Sequence, residues 1–275
     1  MSFQNTQINV FGASGFIGSN YCKLYSDNVI IQQRDDNIPL SNNILYFIST
    51  TDNYNVFSDI HKDVDTNLTK LLKVLNNCKD RDFTFNFISS WFVYGKQEKM
   101  PVNENANCNP TGFYSITKKC AEDLLISYCK TFNKKYRILR LCNVYGPNDK
   151  GTSKKKNALQ YLVNEIKNNN PIGLYKNGEF YRDYMHVEDV CAAINHIINH
   201  APVNEIFNIG SGEAIKFKNL IDHVVKNTNS KSVISTMEPP DFHKTVQASD
   251  IVLDISKLAT LGFKPKYNIY DELLK

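Results

Sequence analysis

Apolar residues recur with two periods along this chain, and the alternation between the two sets its architecture. Short runs dense in Val, Ile, Phe and Tyr at residues 8–11, 29–33, 44–49 and 83–90 have the length and the β-branched or aromatic content of buried strands. Between and beyond them lie 16–25, 65–75, 114–128, 158–167, 187–198 and 218–226, which read as helices. In 65–75, for example, Leu68, Leu71, Leu72 and Leu75 mark one buried helical face. Strands alternating with helices predict an α/β chain built on a parallel sheet. Only residues 34–43 separate the second strand from the third, too few for a helix, a strand and a second helix, so that region is expected to be trimmed.

The sharpest local signal lies at the first strand–helix junction. Gly12, Gly15 and Gly18 stand three apart, directly after the first strand and at the start of the first helix. Such a turn lets backbone approach a pyrophosphate, while the helix's unpaired amides and positive dipole end face the anion. Gly12 and Gly15 serve the turn and the close approach, Gly18 serves helix-on-strand packing, and Phe16 and Ile17 complete the candidate cofactor loop. A dinucleotide is the ligand this suits. About twenty residues on, such folds place an acid that accepts from the adenosine ribose; here the strand ends in Gln32-Gln33-Arg34. A carboxylate there repels a 2′-phosphate and a guanidinium pairs with it, which favours NADP(H), while Asp35 and Asp36 leave NAD possible.

In an open parallel sheet the carboxyl ends of the strands border the ligand crevice, so Ser90, ending the run 83–90, sits where chemistry occurs. Tyr114 and Lys118 open the helix 114–128 four residues apart and share a face. An ammonium beside a phenol favours phenolate, which brings a tyrosine toward use as a general acid or base. In a lysine-rich chain the spacing carries little weight; position after a glycine turn and a serine-ended strand carries the assignment.

Taken in series, these segments resemble the extended short-chain dehydrogenase/reductase family of NAD(P)-dependent nucleotide-sugar epimerases, dehydratases and reductases. Gly12-x-x-Gly15-x-x-Gly18 looks like its cofactor loop, Ser89-Ser90-Trp91-Phe92-Val93-Tyr94-Gly95 like its serine strand, and Tyr114-x-x-x-Lys118 like its catalytic pair. Arg140-Leu141-Cys142-Asn143-Val144-Tyr145-Gly146-Pro147 and Arg182-Asp183-Tyr184-Met185-His186-Val187-Glu188-Asp189-Val190 look like its substrate-side segments. Asn208-Ile209-Gly210-Ser211-Gly212 and Leu261-Gly262-Phe263-Lys264-Pro265 resemble its C-terminal lobe. The resemblance implies a Rossmann-type doubly wound parallel sheet, mainly residues 1–158, with a smaller interleaved substrate lobe, mainly residues 159–275. It implies Tyr114 as acid/base, Lys118 on the nicotinamide ribose and lowering the tyrosine pKa, and Ser90 on the reacting sugar oxygen. Asn67 matches a helix asparagine of structural use. Asn143 and Arg182 match positions that hold the substrate's pyrophosphate, and Lys244 stands about where the family has another phosphate-binding arginine, with its charge but not its fork. The helices 65–75 and 114–128 match those that pair in family dimers, which implies a homodimer.

Departures from the pattern narrow the reaction. The family's 4,6-dehydratases carry Asp-Glu after the catalytic hydroxyl, where this chain has Trp91-Phe92. Its 3,5-epimerase/reductases carry a cysteine there and a histidine after the later Gly-Pro, where this chain has Phe92 and Asn148. Dehydration and carbon-acid epimerisation are thereby disfavoured, which leaves hydride transfer with tyrosine-mediated proton transfer at C4. The expected function is an NADPH-dependent 4-reductase of a 4-keto (deoxy)sugar nucleotide, favoured by Arg34 over a 4-epimerase with tightly held NAD. A non-enzymatic NADP-sensing module is the other alternative, opposed by the joint presence of Ser90, Tyr114 and Lys118.

Composition sets aside other classes. With 275 residues, 42% of them hydrophobic, the chain is large enough for one α/β domain with a smaller lobe. No apolar run approaches the ~18 residues of a membrane helix, and residues 1–7 are too polar for a signal peptide; a cytoplasmic protein without membrane partners is expected. The net charge of +4 comes from scattered lysines, and the run 154–156 reads as a solvated loop rather than a nucleic-acid patch. Seven cysteines without a C-x-x-C predict reduced thiols, with neither a disulfide frame nor a metal site.

Overall fold

The four apolar runs lie side by side as strands. The computed structural model describes residues 7–149, 157–246 and 250–275, and the lysine run 154–156 lies outside them. β1 (Ile8–Phe11), β2 (Val29–Ile31), β3 (Asn43–Tyr46) and β4 (Thr84–Ser90) stand where periodicity predicts them. With β5 (Lys135–Leu141) and β10 (Glu205–Ile209) they form one six-stranded parallel sheet of Rossmann type, ordered β2-β1-β3-β4-β5-β10. β5 is not legible as an apolar run because Lys135, Arg137 and Arg140 interrupt it.

Alternate residues of these strands face opposite sides of the sheet. Phe11, Ile44, Tyr46, Phe85, Phe87 and Ile138 share a core with Leu71 and Val74 of α3 (Lys70–Asn76) and Ala121 and Leu125 of α4 (Phe113–Thr131). Val10, Leu45, Ile88, Leu139 and Phe207 share one with Tyr21 of α1 (Phe16–Leu24) and Ile194 of α6 (Val187–His200). Both α6 and β10 belong to the sheet layer although they lie well beyond residue 158. Residues 65–75 are not one α-helix: a short α2 (Lys62–Val64) leads into a π-helical turn, Asp65–Thr69, before α3.

The trimmed connection, residues 32–42, contains no helix. Side chains hold it instead. Asn9, fully buried in β1, donates to the Ile30 carbonyl (3.1 Å) and accepts from the Leu40 amide (2.8 Å). Gln32 donates to the carbonyls of Asp36 and Ile38, and Asn77 to that of Asn37. The buried arginines of β5 are likewise partnered. Arg140 grips Glu122 of α4 with two nitrogens (2.7 and 3.1 Å), and Arg137 donates to the Ala201 and Pro202 carbonyls and to Asn86.

The outer lobe packs α5 (Ala158–Lys167) and α7 (Phe217–Asn227) around a separate core. Three short strand pairs complete it: β6 (Asn143–Tyr145) with β9 (Tyr184–His186), β7 (Ile172–Tyr175) with β12 (Ile234–Met237), and β8 (Tyr181–Arg182) with β11 (Ile215–Lys216). The buried Asp183 carboxylate knots the lobe, accepting from the Ser211 amide and hydroxyl and from the Gly212 and Leu253 amides. All seven cysteines are free thiols. Among the described residues, no helix is long and apolar enough to cross a membrane and no cluster of His, Cys, Asp or Glu could hold a metal ion.

Because the Asn9 side chain ties down the connection that lacks a helix, Asn9→Ala removes two hydrogen bonds and should lower the unfolding free energy by about 1–3 kcal/mol. Urea denaturation measures the loss, and hydrogen exchange should speed up in residues 36–42. Unchanged exchange there would show that the connection is held by other means.

Candidate active site

A cavity of about 510 Å³ runs along the carboxyl ends of β1, β3, β4 and β5 and outward to the lobe. Its inner end is the glycine loop. Gly12 has φ +81°, a Cβ on it would lie 3.0 Å from the Ile48 amide nitrogen, and one on Gly18 would lie 2.4 Å from the Gly12 carbonyl oxygen. Gly12 thus supplies a conformation other residues avoid, and Gly18 lets α1 sit directly on the turn. Gly15 caps α1 without a side-chain hydrogen bond, and Phe16, Ile17 and Gly18 of its first turn line the cavity. Glycine backbone beside an uncapped helix start is anion-binding geometry, and the residues present fit a dinucleotide's pyrophosphate. Arg34 stands apart from this wall: it is exposed in the turn after β2 and does not line the cavity.

Ser90, Tyr114 and Lys118 all line the cavity, and the Ser90 hydroxyl is hydrogen-bonded to the Tyr114 phenol. Ser90 ends β4 and starts the turn Trp91–Tyr94, its Oγ accepting from the Phe92 amide (3.4 Å). Tyr114 is the second residue of α4 and Lys118 follows one turn on. Burial pushes the Tyr114 phenol up to about 12, while the neighbouring hydroxyls of Ser90 and Ser49 pull the other way. The Lys118 Nζ donates to the Ile88 carbonyl (2.6 Å) and lies 4.1 Å from the centre of the Phe87 ring. Burial pulls it down to about 7, against the opposing effect of Glu122. The expected lowering of the phenol by the ammonium is therefore not what governs this site. Both groups share a buried environment that favours the neutral form of each, and the Lys118 ammonium is bonded to the backbone of β4 rather than to the phenol.

The π-helical turn sets Asn67 beneath them. Its Oδ1 accepts from the Thr50 amide (2.8 Å) and the Ser49 hydroxyl (3.1 Å), and its Nδ2 donates to the hydroxyls of Thr50 and Thr117 (2.9 Å each). Asn67 fastens the end of β3 to the turn of α4 that carries the tyrosine and lysine, so its place is structural. Ser49 lies beside Tyr114 unannounced by any motif. The rule that marks Ser90, position at the carboxyl end of a strand, applies equally to it.

Toward the lobe, Asn143 opens β6 and donates to the Asp183 carbonyl (3.0 Å). The buried Arg182 guanidinium lies 5.4 Å from the Trp91 ring centre and 5.0 Å from that of Phe180, and burial lowers its pKa. Both Asn143 and Arg182 line the cavity; Lys244 does not. Lys244 sits on the outer face of α8 (Asp241–Val246), paired with Asp241 (3.1 Å). Its neighbour His243 faces inward, hydrogen-bonded to Tyr54 and packed against Tyr175. Thr111 reaches the Thr245 carbonyl (2.8 Å), so α8 closes the outer end of the cavity.

The model of the NAD dependent epimerase/dehydratase family matches residues 43–210. The chain is 33% identical over 184 residues to the dTDP-4-dehydro-6-deoxyglucose reductase of Escherichia coli, a match covering 66% of this chain and 56% of that protein, so it spans little more than half of that relative's length. UDP-glucose 4-epimerase of Thermotoga maritima, solved with UDP-glucose, shares the fold at a TM-score of 0.85 and 23% identity, over 98% of this chain and 96% of that one. RMD from Pseudomonas aeruginosa, complexed with NADPH, does so at 0.83 and 22% over the same shares. The matched segment takes in Ser90, the Tyr114–Lys118 pair and Arg182: the chain belongs to the NAD dependent epimerase/dehydratase family.

Proposed function

We propose that the protein is an NADPH-dependent reductase that converts a 4-keto deoxysugar nucleotide to its 4-hydroxy product. The observation that carries this reading is the convergence of Ser90, Tyr114 and Lys118 in one cavity, between a glycine loop at one end and a buried guanidinium at the other. NADPH, when bound on the glycine loop, supplies the hydride. Arg182 and Asn143 hold the sugar nucleotide's pyrophosphate, which anchors C1 toward the lobe and turns C4 toward the phenol. Ser90 donates to the C4 carbonyl oxygen, and Tyr114 gives that oxygen its proton as the new C–H bond forms and the C=O π bond breaks. A phenol held neutral by burial suits a donor, whereas an epimerase must begin by taking the C4 hydroxyl proton. Trp91 and Phe92, following Ser90, have no proton to exchange with a sugar carbon. The exposed guanidinium of Arg34 after β2, which suits a 2′-phosphate better than a carboxylate would, and the name of the Escherichia coli relative support the same reading. Homodimer assembly belongs to it as well, since α3 and α4 leave Leu72 and Ile116 46% and 47% exposed.

The protein as purified should consume NADPH only when a 4-keto sugar nucleotide is added. Tightly held NAD, with interconversion of C4 epimers and no NADPH consumption, would overturn the reading. Tyr114→Phe should keep NADPH binding and lose roughly 10²–10⁴ in turnover, the worth of general acid catalysis, with Ser90→Ala losing less. Near-native turnover would move the acid elsewhere.

Lys118 makes a second test. Its pKa falls from 10.5 to about 7 on folding, so it opposes folding fully below pH 7 and ceases to do so as pH rises through 10.5. Lys118→Met should accordingly raise the Tm of the cofactor-free protein most at or below pH 7, with the gain shrinking toward pH 10.5; a pH-independent gain would contradict the burial argument. For the cofactor, Arg34→Ala should weaken NADPH binding by roughly tenfold, the scale of one charge-assisted hydrogen bond, and spare NADH. Equal losses for both would remove the case for NADP(H).

A further inference from the structure

Directly after Ser90 the chain places two aromatic rings. Trp91 and Phe92 stack with centroids 3.9 Å apart and 25° between planes, and Phe92 meets the Tyr114 ring edge-on at 5.7 Å. Both line the cavity, with Trp91 3% exposed and Phe92 half-buried. The Arg182 guanidinium also lies over the Trp91 ring, 5.4 Å from its centre. The aromatic pair thus spans the interval between the buried arginine and the phenol. The Phe92 amide is bonded to Ser90 Oγ, so hydroxyl and ring are placed by the same turn.

We infer that Phe92 is a specificity-determining residue of this site, reading the substituent beside the reacting carbon so that a methyl group is accepted and a hydroxymethyl group rejected. This rests on the reading that C4 of the sugar lies at Tyr114. A pyranose tethered through C1 and reacting at C4 has two flanks there: C3 with its hydroxyl, and C5 with C6. The benzyl side chain has no hydrogen-bonding atom, so a hydroxyl pressed against it gives up water and gains no partner. The methyl on C5 of a 6-deoxy sugar is the one ring substituent beside C4 that gains by such contact, because it removes apolar surface from water. Phe92 cannot swing aside without giving up its stack on Trp91. An apolar wall discriminates against one added hydroxyl by about a hundredfold at most, so the selection is graded, not absolute.

The test is calorimetric titration of the full chain, saturated with NADP⁺, with dTDP-glucose and dTDP-6-deoxyglucose, the UDP, GDP and CDP pairs being run alongside. The 6-deoxy member should bind about ten- to hundredfold more tightly. Phe92→Ser should bring the two members close to parity, whereas Phe92→Leu should keep the preference, which separates loss of an apolar wall from general damage to the site. Equal affinities in the unaltered protein, or a preference that survives Phe92→Ser, would overturn this inference and leave the proposed reductase standing. Failure of every sugar nucleotide to bind would overturn both.

Discussion

Everything at the candidate active site depends on the burial of three polar side chains at successive turns of α4. Tyr114, Lys118 and Glu122 are 7%, 1% and 0% exposed and lie against β4 and β5. Each is satisfied differently. Glu122 is gripped by Arg140 and accepts from Ser89, Lys118 donates to the Ile88 carbonyl, and Tyr114 keeps its proton. A buried ion pair of this kind adds little net stability, because desolvation offsets its attraction, but breaking it leaves an uncompensated charge in the core. The pair therefore holds the helix in one register against the sheet, and that register places the phenol at Ser90.

Sheet order places the other half of the site. The connection from β1 to β2 runs through α1 on one face, and that from β3 to β4 through α2 and α3 on the other, so the strand ends part between β1 and β3. Ligand crevices form at such switch points, and here the glycine loop and Ser49 border one. Trimming the edge beyond β2 costs the sheet no part of this crevice. Its consequence is local: the turn that carries Arg34 is exposed, and Asn9 must hold the connection that returns to β3.

Much of this site is legible in the sequence because its parts combine residue type with position. Gly12, Gly15 and Gly18 sit at a strand–helix junction, Ser90 at a strand end, and Tyr114 with Lys118 on one helical face. What is illegible depends on contacts across the fold. β5 hides behind two arginines whose partners, Glu122 and Ala201, are distant in sequence. Chain position suggests Lys244, yet the face that α8 turns inward carries His243. Spacing shows that Tyr114 and Lys118 share a face, but how dry that face is depends on burial, and burial sets both pKa values.

The proposed reaction moves a hydride from a nicotinamide to C4 of a sugar while Tyr114 supplies the proton. The most direct measurement is turnover of a 4-keto-6-deoxy sugar nucleotide with NADPH deuterated on C4 of the nicotinamide, read by NMR of the product. The expected product carries deuterium on C4 of the sugar, from one face of the nicotinamide only, and a hydroxyl proton drawn from solvent. Product formed without deuterium at C4, or deuterium left wholly in the nicotinamide, would contradict it.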